Sequence, residues 1–166
     1  MRRRRTTPSI AVPTGETVLA ASTAEDGTVL AGTRDAFYAQ APDGEVVRVP
    51  WEQVEAADWD RDTETFRLSE VGVWGEPRRE HVAVLSEPGR LLELVRERVT
   101  ASVVLQRHVR VQGRRGLRVI ARRAPRGDRP VEWMYEYDVG VDPDDPQVAT
   151  AAREALEVAR RDVGLP

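Results

Sequence analysis

The sequence predicts an α+β protein: a seven-stranded antiparallel sandwich or barrel closed by a helix, then a β-hairpin and a second helix. Three observations carry that expectation. Seven short segments rich in β-branched and aromatic residues follow one another between positions 16 and 85, separated by turn residues at roughly 8–12-residue spacing. Between positions 86 and 107 the apolar period becomes helical. Two strictly alternating segments then flank a Pro/Gly loop, and a capped, alanine-rich stretch follows them.

The strands are expected at 16–22, 28–33, 36–41, 45–51, 54–60, 65–71 and 78–85. Pro42-Asp43-Gly44 is the clearest hairpin signal, because proline presets the turn dihedral and glycine accepts a positive φ. Pro50 lacks an N–H and so marks an edge or a bend. In the helix, Ser86 is read as the N-cap and Glu87 and Pro88 as its first turn. Leu91, Val95, Val99 and Val103 make its stripe, and the helix is expected to run to about Arg107.

Residues 116–123 and 131–138 alternate in register. If they pair about Gly127, Arg122 faces Glu132, Ile120 faces Met134 and Arg118 faces Glu136 on one side. On the other side Ala121 meets Trp133, Val119 meets Tyr135 and Leu117 meets Tyr137. One face is then charge-paired and the other apolar, as a half-buried hairpin requires. The last helix takes Asp144 or Asp145 as its cap, Pro146 at its first position and Gly164 as its end. Its stripe (Ala152, Ala155, Leu156, Ala159, Val163) is shallow and must lean on the hairpin or on a second subunit.

Composition narrows the function classes. All 25 basic residues are arginine, which fits the codon usage of a GC-rich genome, and there is no cysteine for disulfides, thiol nucleophiles or zinc–thiolate sites. No apolar run approaches the ~20 residues that a membrane span needs, and the opening MRRRR lacks the apolar region of a secretion signal. A cytoplasmic location is expected. Charge is segregated: residues 6–89 hold six arginines against sixteen acids (−10), residues 90–130 twelve against three (+9), and residues 131–166 three against nine (−6).

The segments LAGTRDAFYA (30–39) and RVPWEQVEAADWDRDTETFRL (48–68) carry a family likeness. Thr33-Arg34-Asp35 matches a short T-x-[RD] turn, and Val49-Pro50-Trp51-Glu52-Gln53-Val54 an [IV]-P-W-x-x-[IV] step. With seven strands and a closing helix, residues 10–106 resemble a bacterial pleckstrin-homology-like domain of the GRAM kind. The whole chain also resembles proteins of GC-rich bacteria, which implies no activity. The family resemblance implies binding of lipids, peptides or proteins. The basic loop with which relatives grip phosphoinositides corresponds here to STAEDG (22–27), two acids and no base, so phosphoinositide is disfavoured.

No Gly-x-Ser-x-Gly, Gly-x-Gly-x-x-Gly, P-loop or His-Glu-x-x-His motif occurs. His81 and Glu80 are strand neighbours and point to opposite faces. Asp142, Asp144 and Asp145 are read as helix-start acids rather than metal ligands. The chain is therefore expected to be a non-enzymatic module without metal or cofactor, acting by protein contact or self-association. Its parts are a disordered basic tail (1–9), a PH-like domain (10–106) and an appendage (107–166). The candidate interaction surface is Arg107, Arg110, Arg114, Arg115, Trp133, Tyr135 and Tyr137. The alternative is binding of nucleic acid or an acidic membrane through the arginine-rich segment 107–129.

Overall fold

Thirteen segments of regular structure, two of them α-helices, build the chain in the computed structural model, which describes residues 8–164. The proposed basic tail Arg2–Arg5 lies outside the described residues. The strands form three antiparallel sheets. The chain divides into two compact units: one runs to Ser102 and includes Ala124–Arg126, the other comprises Val103–Arg123 and the residues from Gly127 onward.

In the first unit, β1 (Ala20–Thr23), β2 (Val29–Gly32), β3 (Ala36–Gln40) and β4 (Val46–Pro50) make a four-stranded meander. The Pro42-Asp43-Gly44 turn closes β3 onto β4: Gly44 sits at φ 94°, and the Asp43 carboxylate accepts the Glu45 N–H at 3.0 Å. A second sheet follows in the order β5 (Val54–Asp60), β6 (Thr65–Glu70), β7 (Glu80–Val84). The seven expected strands thus exist, but they do not close into a barrel. The break falls where Pro50 ends β4 and a 3-10 turn, Trp51–Gln53, leads into β5. A proline that cannot donate and a tight turn separate the two ladders there.

Both sheets and α1 (Leu91–Ser102) enclose one core, with Phe37, Trp51, Phe66, Leu68 and Leu91 at 0–1% exposure. Side chains of this size contribute about 1.5–3 kcal/mol each when fully buried. The Trp51 indole N–H donates to the Thr33 carbonyl at 3.0 Å, so the ring is hydrogen-bonded as well as buried. Two helix boundaries differ from expectation. Ser86 does not cap α1, which starts five residues later than Ser86, after a turn in which Gly89 has φ 56°. The helix also ends at Ser102, not Arg107, where the Ser102 hydroxyl donates to the Val99 carbonyl at 2.7 Å. Residues 103–107 belong to a strand instead.

The outer face of the first sheet is covered by the segment that precedes it. Ile10 packs with Ala31, Ala36 and Tyr38, flanked by Val12 and Val18. Glu16 anchors this segment: its carboxylate accepts from Thr33 Oγ1 at 2.6 Å, Tyr38 OH at 2.8 Å and the Arg48 guanidinium at 2.9 Å. Burial pushes the Glu16 carboxyl up, but those three donors outweigh it and hold it below the usual carboxylate range. The first expected strand, 16–22, is therefore shorter than its pattern and begins at Ala20.

The second unit is a sheet in the order β10-β9-β8, with β8 Val103–Gln112, β9 Arg115–Arg122 and β10 Glu132–Tyr137, packed against α2 (Pro146–Val163). All six predicted β9–β10 partners occur, from Glu132 opposite Arg122 to Tyr137 opposite Leu117. The hairpin is, however, part of a three-stranded sheet with β9 at its centre, because β8 pairs along the other side of β9. Nor is β9 half-buried: Leu117, Val119 and Ala121 are at 0%, while Ile120 and Arg122 on the other face are at 4% and 5%. α2 is capped as expected. Asp145 accepts the Gln147 N–H, Pro146 starts the helix and Gly164 ends it at φ 70°. Its Val148, Ala152, Ala155 and Ala159 are buried against Leu117 and Val119, so the shallow stripe leans on its own sheet.

Candidate functional site

The sequence-predicted residues fall into two groups on the second unit. Arg107, on the face of β8 that also carries Leu105 and Val109, pairs with Asp162 of α2. Arg110 lies on the opposite, exposed face of β8, and Arg114 and Arg115 are exposed where β8 turns into β9 around Gly113. A Cβ at Gly140 would stand 2.9 Å from Arg115 Nη1, so that guanidinium lies over the Gly140 backbone. Trp133, Tyr135 and Tyr137 alternate along β10; Trp133 and Tyr137 pack on the core, while Tyr135 stays 37% exposed. The arginine-rich segment is partly neutralised within the chain. Beyond Arg107, Arg118 lies 3.6 Å from Glu136, and Arg126 binds Asp35 at 2.6 Å.

Each histidine meets a carboxylate that is distant in sequence. His108 Nε2 is 2.8 Å from Asp138 Oδ2, which also accepts the Gly116 N–H at 2.8 Å. His81 pairs with Glu70 at 2.8 Å, with its ring 6.1 Å from that of Phe37, whereas Glu80 pairs with Arg67 at 2.7 Å. The bonds from His108 and Gly116 hold the Asp138 carboxyl below its ordinary value. A carboxyl depressed in the fold adds stability that is present above the unfolded-state value near 3.9 and is lost as pH falls through the folded value. Asp138→Asn should therefore flatten the acid limb of stability. Urea midpoints taken between about pH 5 and 2.5 should fall less steeply for the variant than for the parent.

The first unit carries an apolar concavity. A groove of 510 Å³ runs between α1 and β5, lined by Ala57, Asp58 and Trp59, by Phe66 of β6, and by Leu92, Val95, Arg96, Val99 and Thr100. Its floor follows from local patterning. On β5, Ala57 and Trp59 point inward while Asp58 and Asp60 point out, and Leu92, Val95 and Val99 form the facing helix stripe. Trp59 Nε1 is buried without a hydrogen-bond partner, an unmet donor that costs about 1–3 kcal/mol. β5 is an edge strand, so one side of its backbone has no ladder partner among the described residues. Beside the groove, Asp58 and Asp60 join Thr63, Thr65 and Arg67 around a shallower depression of 290 Å³.

Among the described residues no group of three or more His, Cys, Asp or Glu side chains could hold a metal ion, and no helix is long and apolar enough to cross a membrane. The groove was not marked in the sequence. Trp59 falls within the expected strand 54–60, and nothing local places Val99 opposite it. No protein-family model matches this chain, and no curated protein matches it in sequence.

Proposed function

We propose that the first unit is a PH-like interaction module that takes an extended peptide segment into the groove between α1 and β5. The PH-like reading is supported by the order of elements: four strands in one meander, three in a second sheet, then a helix packed on both. The observation that carries the function is the coincidence of an aromatic-floored groove with the open edge of β5. An added strand would draw affinity from main-chain hydrogen bonds and specificity from alternate side chains. An apolar residue of the partner would enter between Trp59 and Val99, and a basic residue would meet Asp58 and Asp60. The charge of −10 across residues 6–89 favours such a cationic segment.

Peptide display on the full chain, followed by NMR mapping of a selected peptide, tests this reading. Selected sequences should alternate apolar and basic residues, and the peptide should shift the β5 amides and the Trp59 indole N–H. Selection of no peptide that binds more tightly than about 1 mM, or shifts confined to the second unit, would overturn it.

A further inference from the structure

We propose that the β10 margin of the second unit is a binding site for single-stranded nucleic acid. β10 is the edge strand of its sheet, and α2 packs chiefly over β8 and β9. The aromatic ladder on β10 is thereby left beside the helix rather than beneath it. Tyr135 is the exposed ring, at 37%, and its centroid lies 6.1 Å from that of Tyr137. The flank of α2 supplies cations to the same shelf. The Arg160 guanidinium sits 6.0 Å over the Trp133 ring. Arg153 stands seven positions earlier, two helical turns and about 10 Å along the axis. Both act electrostatically on the Tyr135 phenol. Neither is ion-paired among the described residues, in contrast to Arg107 and Arg118.

A ring face beside unpaired guanidinium groups fits a ligand that is both flat and anionic. Bases stack on aromatic side chains whatever their identity, and arginine adds cation–π and phosphate contacts. A base would stack on Tyr135 while the adjoining phosphates meet Arg153 and Arg160. Glu157, four positions from Arg153, is the nearest acid on that flank of the helix, and it should weaken binding.

Fluorescence anisotropy of the full chain with a labelled oligothymidine of about twelve nucleotides tests the proposal at about 50 mM salt. Tyr135→Ala should weaken binding about tenfold or more, and Tyr135→Phe should leave it within about twofold, because stacking needs the ring and not the hydroxyl. Replacing Arg153 and Arg160 together by alanine should lower the slope of log K against log salt by about 1.4, two phosphate contacts at about 0.7 each. Glu157→Gln should strengthen binding. The proposal is overturned if the oligothymidine does not bind. It is equally overturned if heparin or a duplex binds as well and Tyr135→Ala changes nothing, which would assign the contact to a polyanion surface elsewhere. Preferential binding of a proline-rich peptide to the shelf would also sink it.

Discussion

Gly116→Ala is expected to abolish the ordered β8–β9–β10 sheet. Gly116 is buried opposite Arg110, and a Cβ there would lie 1.8 Å from the Val109 carbonyl oxygen and 2.9 Å from the Arg110 Cα. The obstructing atoms are backbone, so no side-chain rotation relieves the clash. The two strands would have to separate, which would break the ladder where Gly116 also bonds Asp138 in both directions, at 2.8 and 2.9 Å. The loss should reach about 3 kcal/mol or more, the upper range for forced overpacking. NMR amide dispersion over β8–β10 should collapse. A variant with the dispersion and stability of the parent would show that the close approach is not needed. Gly32→Ala makes an instructive contrast: its Cβ would meet the flexible Leu94 Cδ2 at 2.7 Å, and its cost should be well below that of Gly116→Ala.

Trp51→Ala should cost about 3–5 kcal/mol, because a fully buried indole is replaced by a cavity that the surrounding core fills only in part. Trp51 is 0% exposed, 6.4 Å from the Phe37 ring, and bonded to the Thr33 carbonyl. Trp51→Phe separates the two contributions. It keeps most of the apolar volume but leaves that carbonyl without its indole donor, so a loss of about 1–3 kcal/mol is expected. Urea unfolding followed by circular dichroism reads both variants. Equal losses for Ala and Phe would mean that the hydrogen bond, not the packing, carries the effect.

Local patterns that agreed with their surroundings were legible in the sequence. The β9–β10 register could be read because a slip of one residue would have turned Leu117, Val119 and Ala121 out of the core and broken six complementary pairs at once. The α2 boundaries could be read because Asp145, Pro146 and Gly164 each satisfy a backbone requirement of the helix end. The end of α1 could not. Residues 99–111 support both periods, with Val99 and Val103 at helical spacing and Val103, Leu105, Val109 and Val111 on alternate positions. No glycine or proline stands between them to stop the helix. The β8–β9 ladder decides the matter: it recruits residues from Val103 onward and makes a three-stranded sheet of an expected hairpin.

The sites divide in the same way. Arg107 is a candidate surface residue in the sequence, but strand and helix bring Asp162 to it, and the sheet brings Asp138 to His108 from 30 positions away. The groove of Trp59 and Val99 exists only because α1 returns across β5. By itself the sequence determined the α+β class, the seven strands of the first unit, the β9–β10 register and the caps of α2, since each rests on side-chain period or on the backbone needs of a few neighbouring residues. Only the tertiary structure decided where α1 gives way to β8, that Arg107 and Arg126 are neutralised, and which aromatic rings stay open. Those depend on contacts between residues tens of positions apart, and neither spacing nor propensity encodes them.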